Sequence, residues 1–138
     1  MAIKEIVDLA IDAWNRHDRD AFAACYADDC EVIAPDLNGK GHQGVFELWA
    51  QSMDGFPDCR LAVQRVVTEG TNLVEESLWH GTHTRPLAMP DGQEAPATGA
   101  SVTVPYAGLH TVRDDKIISS RFYYDQMAFL GQLGLLPS

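Results

Sequence analysis

Positive charge is scarce in this sequence. Lys and Arg number 10 against 20 Asp and Glu, and the formal net charge is −10 over 138 residues. A surface of that sign repels nucleic acid and anionic membranes, so neither is an expected partner. Cysteine is also scarce. Cys25, Cys30 and Cys59 are odd in number, and their spacing fits neither CxxC nor a zinc pattern. They read as reduced thiols of a cytoplasmic protein. No apolar run approaches the roughly 18–20 residues that a membrane span needs. Met1 to Glu5 opens directly into a helical pattern, without the apolar segment of a signal peptide. No GxSxG is present, and the serines show no nucleophile context. What remains is ordinary for a soluble globular chain: 46% apolar and 22% charged residues, one domain's worth over residues 1–138.

The apolar pattern changes period along the chain. Ile3, Ile6, Val7, Ala10, Ala13 and Trp14 recur at spacings of three and four, which predicts an amphipathic helix. Asp18 is a suitable N-cap for a second helix over Arg19–Tyr26. Cys30–Ala34 reads as a short strand stopped by Pro35. A third helix follows Gly44, with Val45, Leu48, Trp49, Met53 and Phe56 on one face. From Cys59 onward the period is two. Strands are expected over Cys59–Glu69, Leu73–His83, Ser101–Val112 and Lys116–Tyr124, with hairpin turns at Gly70–Asn72 and Arg113–Asp115. Thr84–Ala100 holds Pro86, Pro90, Gly92, Pro96 and Gly99, and reads as a long loop, the lid or rim of a pocket. A last helix over Gln126–Leu133 is capped by Asp125 and stopped by Gly134. Helices followed by a meander of strands make an α+β fold.

Several motifs are weaker than they look. Gly39–Gly44 matches GxGxxG, but a dinucleotide site needs a strand directly before it and a parallel βαβ unit around it. It reads instead as a flexible loop entering the third helix. His80 and His83 form HxxH, yet odd spacing on a strand sends them to opposite faces, so no metal site and no cofactor is expected. Asp28–Asp29 and Asp114–Asp115 read as solvated turn acids.

Short segments distributed over nearly the whole chain carry a resemblance. They are Tyr26-Ala27-Asp28-Asp29, Gly81-Thr82-His83-Thr84, Ala97-Thr98-Gly99, Val112-Arg113-Asp114-Asp115-Lys116-Ile117 and Gln132-Leu133-Gly134-Leu135. In this order they resemble the SnoaL-like polyketide cyclases of the nuclear-transport-factor-2-like superfamily, and also the limonene-epoxide hydrolases. The resemblance implies a cone: a curved antiparallel sheet with three N-terminal helices packed in its concavity, enclosing a pocket and commonly a homodimer. It also implies an acid/base aspartate directly after the arginine matching Arg121, where this chain has Phe122. The hydrolases' Arg-x-Asp pair falls on Leu78 and His80 by ungapped reading, and their Tyr and Asn on Val32 and Ala34. The ketosteroid isomerase base also falls on Ala34. Phenylalanine cannot titrate, so the resemblance supplies fold and pocket without the family's mechanism.

Placing Tyr106 and His110 on the face of Ser120 and Phe122, as the family frame implies, requires an extra residue or a bulge in the last hairpin. The expected catalytic set is then His80 as acid/base, with His110 and Tyr106 polarising a substrate oxygen. The expected substrate-binding wall is Val32, Ala34, Trp49, Leu78, Val104, Phe122 and Tyr124. Glu76 shares the parity given to His80. The expected function is cofactor-independent cyclase, isomerase or lyase chemistry on a small, largely apolar carbonyl compound. A non-catalytic small-molecule binding protein and a structural or interaction dimer are the rival expectations.

Overall fold

A computed structural model of the chain describes residues 1–89 and 91–136. Helix α1 (Ile3–Asn15) buries the predicted stripe, Ile6, Val7, Ala10, Ala13 and Trp14. Helix α2 (Arg19–Ala24) starts where Asp18 accepts a hydrogen bond from the Ala21 amide at 3.1 Å, a cap worth about 1 kcal/mol. Strands β1 (Tyr26–Ala34) and β2 (Leu37–Lys40) form a hairpin, and helix α3 (Gly41–Met53) follows. Then come β3 (Arg60–Glu69) and β4 (Asn72–Thr82), the short β5 (Leu87–Ala88) and β6 (Glu94–Ala95), β7 (Ser101–Arg113), β8 (Lys116–Tyr124) and helix α4 (Gln126–Leu133).

The α+β class and the helix-on-curved-sheet layout are as the sequence leads one to expect. The main sheet has the order β2-β1-β8-β7-β4-β3. It is mixed, because β1 returns beside β8 in parallel while the other neighbours are antiparallel. The three N-terminal helices contribute Ile6, Trp14, Phe22, Val45 and Met53 to the same core as Val32, Val102, Val104 and Ile117 from the sheet. Asp28 and Asp29 sit within β1, exposed to solvent, rather than in a turn.

The GxGxxG segment is a strand end and a helix start rather than a flexible loop. A Cβ on Gly39 would stand 2.6 Å from the Gly44 Cα, so both positions must be bare for β2 and α3 to meet. Within the long loop, β5 and β6 pair as a small hairpin. His83 pins the loop's base. Its amide donates to the Ala100 carbonyl at 2.9 Å, its carbonyl accepts from the Gly99 amide at 2.8 Å, and its buried ring stacks on Phe56.

The last hairpin sets the register of the site. Asp114 and Asp115 both take positive φ, 52° and 61°, the geometry of a two-residue type I′ turn. Such a turn alone would pair Tyr106 with Tyr123. A bulge shifts the ladder between Thr111 and Val112, so Tyr106 faces Tyr124, Gly108 faces Phe122 and His110 faces Ser120. The extra residue required at the sequence level is this bulge.

Candidate active site

The concave face of the sheet carries an unusual set of side chains for a core. Opposed residues in adjacent strands share a face. The pairings Leu73–His110–Ser120, Glu75–Gly108–Phe122 and Ser77–Tyr106–Tyr124 therefore form three inward rows across β4, β7 and β8. Glu75, Ser77, Tyr106, His110 and Ser120 are all buried. Glu75 is 1% exposed, and a carboxylate there is sustainable only if paired and hydrogen-bonded.

It is. Tyr106 Oη donates to Glu75 Oε1 at 2.5 Å, and Ser77 Oγ donates to the same oxygen at 2.8 Å. His110 Nε2 lies 2.5 Å from Glu75 Oε2, and His110 Nδ1 lies 2.7 Å from Ser120 Oγ. Ser120 Oγ is in turn 2.9 Å from Tyr26 Oη. Gly108 makes this possible. A Cβ there would meet His110 Nε2 at 2.9 Å and Glu75 Oε2 at 3.1 Å. The bare position opposite Glu75 is the slot through which the carboxylate reaches between Tyr106 and His110.

The electrostatics follow from these contacts. Burial pushes the Glu75 carboxyl up. The hydrogen bond and charge of His110, with the Tyr106 and Ser77 donors, outweigh it and hold the group below the ordinary carboxylate range. Burial, the Glu75 charge and the Glu75 hydrogen bond push the Tyr106 phenol well up, so it stays a donor. The order serine, histidine, glutamate has the connectivity of a hydrolytic triad. Ser120 is 0% exposed, however, and holds both His110 and Tyr26. It relays hydrogen bonds rather than meeting a ligand.

Beside this cluster lies a cavity of about 710 Å³, within the range of small-molecule sites. Tyr26, Glu75, Tyr106 and His110 form its polar wall, and Trp14, Phe22, Trp79, Phe122, Tyr124 and Phe129 its aromatic walls. Leu87, Ala88 and Met89 of the long loop and Gln126 and Leu130 of α4 also line it. Phe122 sets its ring edge against both His110 and Tyr106, with centroids 5.6 and 6.1 Å apart. The other ionisable lining residues are Asp36, Glu47 and Asp54; among the described residues, no Lys or Arg lines the cavity.

Six of the sequence-predicted positions line this cavity: His110, Tyr106, Ala34, Val104, Phe122 and Tyr124. The other four stand elsewhere. His80 lies on the convex face, opposite Arg60 and Thr103, with its Nδ1 2.9 Å from Thr103 Oγ1. Leu78 shares that face, opposite Ala62 and Pro105. The inward orientation expected for both is corrected by the β4–β7 register, which turns Leu73, Glu75, Ser77 and Trp79 inward and leaves Glu76 exposed. Val32 is buried in the core opposite Ser120 and does not line the cavity. Trp49 packs on Trp14 and Phe22 instead of lining the cavity. Sequence reasoning missed Glu75, Ser77 and Tyr26 as site residues. A pointer existed for Glu75 and Ser77. Antiparallel partners of Tyr106 and His110 must share their face, but the register runs through a 17-residue loop and cannot be counted from sequence.

The SnoaL-like domain family matches residues 7–120. The chain belongs to that family. Among solved structures, this SnoaL-like chain is similar to a candidate SnoaL-like polyketide cyclase from Jannaschia sp. CCS1. Identity is 24%, covering 98% of this chain and 93% of that one, with a TM-score of 0.83. IdmH, a candidate polyketide cyclase from Streptomyces antibioticus, is 23% identical over 97% of this chain and 99% of its own, with a TM-score of 0.78. A protein of ketosteroid isomerase-like fold from Catenulispora acidiphila DSM 44928, solved with trimethylamine, is 20% identical over 96% and 94%, also with a TM-score of 0.78. No curated protein matches the sequence. At these identities the likeness establishes the fold.

Proposed function

We propose that this SnoaL-like protein acts on a small, largely apolar, uncharged carbonyl compound by cofactor-independent acid/base chemistry of the cyclase, isomerase or lyase type. The observation that carries the reading is a buried carboxylate, Glu75, held by His110, Tyr106 and Ser77 at the wall of an aromatic cavity. Glu75 Oε1 already accepts two hydrogen bonds, whereas Oε2 accepts one and keeps a lone pair. Oε2 is the base. It takes a proton from a C–H next to the carbonyl, and the C–H electron pair passes into the enolate. The protonated carboxyl returns that proton at another carbon or at oxygen. A carboxylate so well hydrogen-bonded is a weak base, so the substrate's C–H must itself be acidic, as between two carbonyls. The acids at Asp36, Glu47 and Asp54 disfavour anionic substrates.

This departs from the family expectation in one instructive way. Phe122, where the resemblance places an aspartate, lies in the same cross-strand row as Glu75, with Gly108 between them. The row keeps a carboxylate, supplied by β4 instead of β8. The test is exchange of acidic C–H for deuterium in a panel of 1,3-dicarbonyl compounds, followed by proton magnetic resonance. Protein-dependent exchange that disappears in Glu75→Gln is the expected result. Exchange that survives this substitution overturns the assignment.

A second reading, ligand binding without turnover, is favoured by Phe122 and the apolar walls. Saturable binding with no exchange for any compound in the panel would establish it. We also propose a homodimer through the convex face, where Val67 pairs with Val74 and Val74 with Leu109, and where Val67 and Tyr123 are 57% exposed. Sedimentation of Val67→Lys against the unmodified chain tests it. Among the described residues no helix is long and apolar enough to cross a membrane. The free thiols Cys25, Cys30 and Cys59 suit a reducing, cytoplasmic compartment.

A further inference from the structure

Both ring nitrogens of His110 and the single proton of Tyr106 are committed inside the cluster. Neither residue has an N–H or O–H left for a ligand. The next group along the chain of hydrogen bonds is Tyr26, which lines the cavity and whose Oη touches Ser120. Ser120 has one proton to place and therefore ties the direction of its two bonds together.

Two arrangements satisfy the network. With His110 neutral and its Nε2–H on Glu75, Nδ1 accepts. Ser120 then donates to Nδ1, and its oxygen accepts from Tyr26. Tyr26 has used its proton and offers a ligand only lone pairs. With His110 carrying its second ring proton, Nδ1–H donates to Ser120. Ser120 turns its hydrogen toward the Tyr26 oxygen, and the Tyr26 hydrogen is released. No covalent bond forms or breaks in the protein beyond the proton gained by the imidazole; the hydroxyls rotate.

We propose that Tyr26 is a ligand-contacting residue whose hydrogen-bonding sense is set by His110 through Ser120. It accepts from a ligand hydroxyl when His110 is neutral, and donates to a carbonyl or enolate oxygen when His110 is protonated. The proposal rests on the cavity being the ligand site and adds to it a polar contact apart from Glu75. Burial pushes the Tyr26 phenol up, so the change is one of rotation and not of ionisation. The titratable groups around this relay are Glu75 from β4, Tyr106 from β7, Cys30 from β1, and Cys25 and Cys59 from the connections leading into β1 and β3.

The experiment needs no ligand. The whole chain is labelled with ring ¹⁵N histidine and ¹³Cζ tyrosine and followed by magnetic resonance from about pH 5 to pH 9, a range wide enough for imidazole. The neutral His110 ring is expected to be protonated on Nε2 and bare on Nδ1. The Tyr26 signal is expected to move with the same midpoint as His110. Ser120→Ala is expected to uncouple the two, and Ser120→Thr to keep them coupled. If the Ser120 variants do not fold, Tyr26→Phe is expected to move the His110 midpoint. A Tyr26 signal indifferent to His110, a neutral ring protonated on Nδ1, an imidazole that holds one state over the range, or a midpoint unmoved in Tyr26→Phe overturns the proposal. Because none of these readouts is turnover, loss of the acid/base reading and loss of the relay are separable.

Discussion

The two faces of β4 differ in a way that reverses ordinary patterning. Its inner face carries Leu73, Glu75, Ser77 and Trp79, and its outer face Val74, Glu76, Leu78 and His80. By hydrophobicity alone the outer set is as good a core as the inner one. Folding normally places the more apolar set inside. Here Glu75 and Ser77 go inside because β7 supplies Tyr106 and His110, and β8 supplies Ser120, to satisfy the network. The polar cluster costs burial energy and leaves a polar wall on the cavity, the kind of local violation expected at a functional site.

The comparison breaks most severely at Glu75. Glu75→Ala strips the acceptor from His110, Tyr106 and Ser77 at once. Breaking a buried pair in this way costs about 3–5 kcal/mol, to be read from chemical denaturation. A pH dependence accompanies it. The folded-state pKa of Glu75 lies below its ordinary value of 4.5. Its contribution is therefore fully present above that value and is lost as pH falls through the lower folded value. Glu75→Gln should flatten the acid limb of the stability curve relative to the unmodified chain. An acid limb of unchanged slope would show that folding does not change the protonation of Glu75 over that range.

Gly108→Ala is the next largest. The added methyl carbon enters the slot between His110 Nε2 and Glu75, and overpacking of this kind costs about 1–3 kcal/mol. Thermal unfolding measures the loss. Turnover or binding should fall further than stability does, because the substitution pushes on the pair itself. If activity survives while stability drops, the slot serves packing and the pair is not the working element.

The charge of the walls predicts a smaller effect on ligands. A neutral ester and its parent carboxylic acid differ little in shape, so their difference in affinity reports the charge of the cavity. The acid should bind about tenfold more weakly at neutral pH, which corresponds to about 1.4 kcal/mol. Titration calorimetry of such a pair checks it. Equal affinities would place Asp36, Glu47 and Asp54 beyond effective reach of the ligand.

How much of this was legible in the sequence depends on which bonds fix which residue. The α1 stripe, the Asp18 and Asp125 caps and the inward set Tyr106, His110 and Phe122 followed from periodicity, cap chemistry and the family frame. The register of β7 and β8 was within reach because their turn is only two residues long and the bulge could be inferred. The register of β4 on β7 was not, since the segment between them contributes its own hairpin and a His83 anchor instead of a countable turn. The ungapped family frame then pointed the wrong way, because it set Leu78 and His80, and Glu76 with them, on the inner face. The cavity's carboxylate was hidden by the same error, one residue away from the glutamate assigned to the inner face.

The smallest effect gives the sharpest test of the two faces. His80→Ala removes a half-buried convex-face ring whose polar contact is Thr103 Oγ1, a change worth within about 0.5 kcal/mol. His110→Ala leaves Glu75 1% exposed and without its Nε2 partner, and should match the Glu75 loss. Performed together, the two substitutions should be additive, because the sheet separates the rings and they share no partner. Denaturation of the two single variants and the double variant supplies the cycle. A large cost at His80, or strong coupling between the pair, would mean that the convex face is covered in solution and that His80 is part of that contact.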